Sequence, residues 1–199
     1  NQSSRKPPFS LHLPTSIYIN TQEHNISPNA VLFFSPGVSF QFPRDSFFSV
    51  ESTLGFFSMY YLWNGIMAVP APIEHREASS LNFMFDVSGV FSFIFPHLKI
   101  SLSVGPMILI RFAYPAFGVS ESEGGYKENT VKDDIQKISD FFWSKGRFFY
   151  IKTGTSFLFK VSDKIQAGPF FDADFPIGSF ISSADMNAAI FSAGLKVVF

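Results

Sequence analysis

Apolar residues recur at every second position along most of this chain, and the face they define carries no charge. Phe9, Leu11, Leu13, Thr15, Ile17 and Ile19 make the first such run. Equivalent runs cover residues 32–42, 48–62, 81–95, 100–114, 149–161, 165–177 and 187–199. A period of two is the signature of a β-strand with two unlike faces. The opposite face carries Glu51, Asp86, Arg111, Lys152, Lys160, Asp172, Asp174 and Lys196, four acids and four bases. A Lys or Arg facing hydrocarbon at mid-bilayer costs roughly 2–4 kcal/mol. That cost empties a face of charge, whereas a water-facing sheet is under no such pressure. The pattern predicts strands with lipid on one side and a polar, charge-balanced interior on the other.

Composition narrows the choice. The 199 residues include 28 Phe, and aromatics make up 18% of the chain. No stretch of 18 or more apolar residues encodes a transmembrane helix. The apolar excess therefore belongs either to a large soluble β-core or to a transmembrane barrel, whose signal per strand is weak. A net charge of −1 and the lack of an Arg/Lys-rich tract give no basis for a nucleic-acid partner. With no cysteine, disulfides, thiolate metal sites and Cys nucleophiles are excluded. The chain starts at Asn1 without Met, which fits a processed, exported protein. Residues 1–199 are expected to form a single domain.

The last run ends Ala189, Phe191, Ala193, Leu195, Val197, Phe199. A hydrophobic strand closing on a C-terminal aromatic resembles the final strand of bacterial outer-membrane β-barrels. The resemblance implies that Phe199 is an assembly signal read by the barrel assembly machinery, and that outer-membrane lipid surrounds the strands. Short turns at 43–46, 96–99 and 162–164 alternate with long connections at 21–30, 64–79, 118–146 and 178–186. Short turns on the periplasmic side and long loops outside are the outer-membrane pattern. The expected fold is an all-β, eight-stranded antiparallel up-and-down transmembrane barrel with periplasmic N- and C-termini. Pro36, Pro106 and Pro169 lie inside strands beside Gly37, Gly105 and Gly168. Because proline cannot donate to a ladder, these Gly-Pro steps are expected to be bulges or tight bends.

An eight-stranded barrel is wide enough to be filled by side chains or to hold one small ligand. Near the short turns the inward residues include His12, Ser39, Gln41, Glu51, Ser101, Lys160 and Lys196, a polar plug whose charges must be paired. Hairpin register through Asp163 sets Lys152 beside Asp174, so that ion pair is expected. Toward the loops lie Phe57, Met59, Tyr61, Trp63, Met84, Met107 and Leu109, with Arg111, Lys152, Asp172 and Asp174 among them, an apolar cup open to the loops. Either these side chains pack on one another or they form a site for small hydrophobic molecules. In size, strand count and lumen polarity the chain resembles the outer membrane protein W and X type of barrel. The W family's apolar lumen is associated with passage of small hydrophobic compounds, and the resemblance implies such a role here. Two alternatives stand beside it: a structural or adhesive surface barrel working through its loops, and a soluble lipocalin-like carrier with the apolar face inside.

Other chemistry has less support. Lipid A deacylases of small outer-membrane barrels need a Ser activated by a nearby His. None of His12, His24, His75 and His97 lies two residues before a Ser in the deacylase manner. Asp172 and Asp174 share a face and are either paired carboxylates or members of ion pairs. His75 with Glu74 and Glu77 lies in one loop, where solvated charges are the expectation, and no metal or cofactor is expected. Asn25-Ile26-Ser27 matches a glycosylation acceptor without relevance to a bacterial protein. No enzymatic activity is expected. Val131, Ile135, Ile138 and Phe142 follow helical spacing within the longest loop, predicting a helix over 131–145. That helix packs on the rim, lies at the headgroups through Phe141 and Trp143, or closes the cup as a lid.

Overall fold

The computed structural model describes residues 8–19, 30–44, 46–178 and 188–199. His24, the Asn25–Ser27 acceptor, Asn187 and most of the predicted 21–30 and 178–186 loops fall outside these. Among the described residues ten strands, a 3-10 turn (Ile73–His75) and one α-helix follow one another: β1 (Phe9–Ile19), β2 (Ala30–Phe34), β3 (Gly37–Phe42), β4 (Phe48–Trp63), β5 (Ala68–Pro70), the 3-10 turn, β6 (Ala78–Ile94), β7 (Leu98–Pro115), α1 (Val131–Trp143), β8 (Phe149–Lys160), β9 (Gln166–Pro176) and β10 (Ile190–Val198). β2 and β3 together make the second stave, and β5 folds back onto the upper end of β4. β10 pairs with β1 from Ser10↔Val198 to Tyr18↔Ile190, closing an all-antiparallel eight-strand barrel.

Closure follows from the solvent. In hydrocarbon a backbone N–H or C=O has no water to turn to, so a spanning sheet cannot keep an edge. The faces sort as the alternation dictates. Phe9, Leu54, Phe56, Leu102, Val104, Phe171 and Leu195 point outward and are exposed. Ser10, His12, Ser39, Glu51, Asp86, Lys152 and Lys196 point inward and are buried. This is the reverse of a lipocalin-like carrier, in which the apolar face would line the lumen.

The proline steps differ from the expected bulges. A bulge puts an extra residue on one strand, but here the same register continues on both sides of each break. Between β1 and the β2/β3 stave, pairing lapses at Leu13-Pro14 and Ser35-Pro36 and resumes unchanged. It lapses likewise at Val87-Ser88 against Gly105-Pro106 and at Phe157-Leu158 against Gly168-Pro169. Each break is two residues against two. Proline removes a ladder donor, and in the last two breaks the preceding glycine lets the neighbouring strand close over the gap: a Cβ on Gly105 would strike the Val87 carbonyl, and one on Gly168 the Phe157 carbonyl.

Gly168→Ala is therefore expected to destabilise the barrel by about 1–3 kcal/mol, the usual cost of overpacking. Gly124→Ala, where the new methyl meets no atom within 4 Å, is the control. The measurement is the temperature at which the compact, fast-migrating band is lost on unboiled gels.

Candidate functional site

The lumen has two storeys. In the lower one, β4, β6, β8, β9 and β10 each direct charged side chains to the axis, and Lys152, Asp172 and Asp174, expected among the loop-side residues, belong here, beside His12 and Asp86 around the same small cavities. Lys196 Nζ lies 2.7 and 2.5 Å from the Glu51 carboxylate oxygens. His12 Nε2 lies 3.9 Å from Glu51 Oε1 and 2.9 Å from Ser39 Oγ, which itself is 2.5 Å from Ser10 Oγ. Lys152 Nζ lies 3.0 Å from Asp86 Oδ2 and 3.2 Å from Asp172 Oδ2. Ser88 Oγ donates to Asp86 Oδ1 at 3.1 Å. Toward the short turns, Lys99 Nζ donates to Gln41 Oε1 at 3.2 Å and to the Arg44 carbonyl at 3.3 Å. Cavities of about 20 and 30 Å³ remain between these groups, room for a water and little more.

Two expected lumen ion pairs need correction. Lys152 and Asp174 do face each other in register across β8 and β9, yet the ammonium goes to Asp86 and Asp172. In so narrow a barrel a lysine stem reaches past β7 to β6 as readily as to its strand neighbour. Asp174 Oδ1 is left buried without a hydrogen-bond partner, lining the 30 Å³ cavity. Lys160 shares the inward parity of Lys152 but stands at the mouth, where its half-exposed ammonium pairs with Asp163 in the turn at 2.7 Å. Asp172 and Asp174 are thus not equivalent carboxylates: among the described residues only Asp172 of the two lies within salt-bridge distance of a cation.

The upper storey is apolar and filled. Phe57, Met59, Tyr61, Met107 and Leu109 are buried in one cluster with Tyr18, Phe33, Tyr150 and Ile190, and Met84 packs against it. Phe33 stacks on Phe57 with ring centroids 4.2 Å apart. The expected open cup is closed, because Ile138 and Phe142 of α1 join this cluster from above. Phe142 meets Tyr61 edge-on at 4.9 Å, and its ring lies 4.2 Å from the Arg111 guanidinium carbon.

Local chemistry holds α1 in place. Asp133 N–H donates to Thr130 Oγ1 and the Thr130 N–H to Asp133 Oδ2, a reciprocal cap. Those bonds hold the Asp133 carboxyl below the usual carboxylate range. The buried Asp134 carboxylate accepts from Tyr126 N at 2.5 Å and Asn129 Nδ2 at 2.6 Å, tying the preceding loop to the helix. At the other end Trp143 packs on Phe148, which contacts the lipid-facing Phe149. The Phe141 ring lies under the Arg147 guanidinium, 4.0 Å away, and meets Trp63 edge-on. In the 64–77 connection, Glu77 accepts from Trp63 N at 2.9 Å. Among the described residues no group of three His, Cys, Asp or Glu is set to hold a metal ion.

Parity marks Tyr18, Tyr150 and Ile190 as lumen residues, each sharing a face with an inward polar group two or more positions away. Lys99 gave no such sign, since it stood in a predicted turn. The docking of α1 into the lumen is a tertiary event that helical spacing alone does not encode.

No protein-family model and no curated protein matches the chain in sequence. Solved structures match in fold. Neisserial surface protein A aligns with a TM-score of 0.53 and 10% identity, over 96% of this chain and 95% of that one. OprG, an outer membrane protein from Pseudomonas aeruginosa, aligns with a TM-score of 0.52 and 7% identity, over 97% and 96%. The fold is that of the small eight-stranded outer-membrane β-barrels.

Lys152→Met is expected to lose about 3–5 kcal/mol, because it strands Asp86 and Asp172 as buried charges. Lys160→Met, in an exposed pair, changes stability by about 1 kcal/mol or less. Urea unfolding in lipid vesicles compares the two.

Proposed function

We propose that this protein is a sealed barrel in a bacterial outer membrane that acts through its extracellular end as a structural or adhesive surface protein. The observation that carries this reading is α1 seated in the upper lumen above a salt-bridged plug, leaving cavities of water size between the two storeys. A barrel packed in this way is a membrane anchor. What it presents to the outside is a cap with the mixed-charge residues Lys132, Asp133, Gln136 and Asp140 on the free face of α1, with Phe117 and Ile66 exposed nearby in the loops. In this reading the short turns and both termini are periplasmic. Phe199, whose N–H closes the seam on the Phe9 carbonyl at 2.9 Å, is the end read by the assembly machinery.

A second reading has one observation of its own. The cup wall contains Met59, Met84 and Met107, flexible side chains that repack around varied guests. Passage or binding of small hydrophobic molecules then requires α1 to swing off the cup.

The native chain has no cysteine, so single reporters are clean. On intact cells, Gln136→Cys is expected to react with a membrane-impermeant maleimide, and Asp163→Cys in the short turn is not. In planar bilayers the protein is expected to give no discrete conductance steps. Labelling at 163 rather than 136 overturns the orientation. Conductance, or uptake of a small hydrophobic solute lost on Met107→Asp, overturns the sealed barrel in favour of the second reading.

A further inference from the structure

We infer that the capped upper lumen holds one small monovalent anion against Arg111. Arg111 on β7 is 2% exposed. One of its terminal nitrogens, Nη2, donates to the Arg147 carbonyl at 2.9 Å, and the Phe142 ring lies beside the guanidinium. Its Nε–H is buried with no acceptor. The lumen cations below it, Lys152 and Lys196, each meet a carboxylate. Arg111 meets none among the described residues. The titratable groups that face it are the hydroxyls of Tyr18 from β1, Tyr61 from β4 and Tyr150 from β8, together with the cation Arg147 beyond the end of α1. Asp174, on β9, lines the cavity of the lower storey instead.

An unpaired buried charge costs several kcal/mol. A desolvated cation–π contact returns about 2 kcal/mol, and the acceptors around the guanidinium, the Arg147 carbonyl and the neutral hydroxyls of Tyr18 and Tyr61, supply no counter-charge. Space for a counter-ion exists at the same place. A cavity of about 30 Å³ is bounded by Arg111, Tyr18, Ala68, Pro70, Phe141 and Arg147. That volume takes a single small ion and excludes the tail of an amphiphile. A second unsatisfied donor faces the guanidinium environment, the fully buried Tyr150 hydroxyl. A weakly hydrated guanidinium in an apolar shell favours a singly charged ion that sheds its water easily, such as a halide or formate, over sulfate. α1 closes the upper lumen, so this anion is enclosed with the cap in place. The inference is independent of whether the barrel is sealed or admits hydrophobic molecules.

The test uses the full chain refolded in non-ionic detergent, melted in sodium chloride, sodium formate or sodium gluconate at equal ionic strength. Anions that bind only the folded state raise its melting temperature with concentration. The wild type is expected to melt higher in chloride and formate than in gluconate, and Arg111→Met is expected to lose that difference. Replacing an unpaired buried charge by an apolar side chain of similar length is neutral or stabilising, and Arg111→Lys, which keeps the charge, should retain part of the anion effect. A wild type that melts alike in all three salts overturns the site. So does an anion effect that persists undiminished in Arg111→Met. Bromide anomalous scattering from crystals of the wild type gives a readout independent of stability: a peak beside Arg111 supports the site and its absence overturns it.

Discussion

A backbone polar group left unpaired in hydrocarbon costs several kcal/mol, and that penalty underlies the rest of this molecule. It forces the sheet to close, which β10 does by returning to β1. Closure with only eight strands leaves a lumen about as wide as two side chains. Charges sent inward by the lipid outside then have no bulk water to retreat to. They must find partners on other strands within the lumen, as Lys152 does on Asp86 and Lys196 on Glu51. Inverted polarity, closure and the internal ion pairs are thus successive consequences of one solvent.

The same constraint explains the proline steps. A proline inside a central strand of a soluble sheet removes one bond that water can replace. Here the loss sits within the membrane-spanning wall, and the barrel confines it to equal gaps of two residues that leave the register untouched. Slipping the register by one would turn Phe171 into the lumen and Asp172 into lipid. The cost of that exchange is far larger than the lost ladder bonds, so pairing resumes unchanged beyond each gap.

How much was legible in the sequence depended on the range of the interaction. Strand positions and facing were readable because alternation is local and lipid enforces it: every outward run from Phe9 to Phe199 contains exposed aromatic or aliphatic residues in the structure. The hairpin register that opposes Lys152 and Asp174 was also local. What each ammonium then bonds was not, because Lys152 reaches past β7 to Asp86, 66 residues away in the chain. Lys160 shows the same limit in the other direction. Its parity is inward, but height along the axis decides between lumen and solvent, and Lys160 stands in the last ladder pair, opposite Gln166, with its side chain half exposed. Lys99 was hidden by its turn position for the same reason.

The cap shows how the two storeys depend on each other. α1 is too short to be a stable helix alone in water, so its reciprocal Thr130–Asp133 cap and the Asp134 tie to Tyr126 and Asn129 shape it while the cup supplies its burial. The cup needs it in turn, because Tyr61, Leu109 and Tyr150 would otherwise face the loops as an apolar surface. Arg111 lies where they meet. Its guanidinium touches Phe142 of the helix and the Arg147 carbonyl beyond the helix end, so this buried cation of the upper lumen is also a joint between wall and lid. Moving α1 would break both contacts and admit water to the charge. Opening the barrel and hydrating Arg111 are therefore the same event, and whatever ion sits beside that guanidinium bears on how firmly the barrel stays closed.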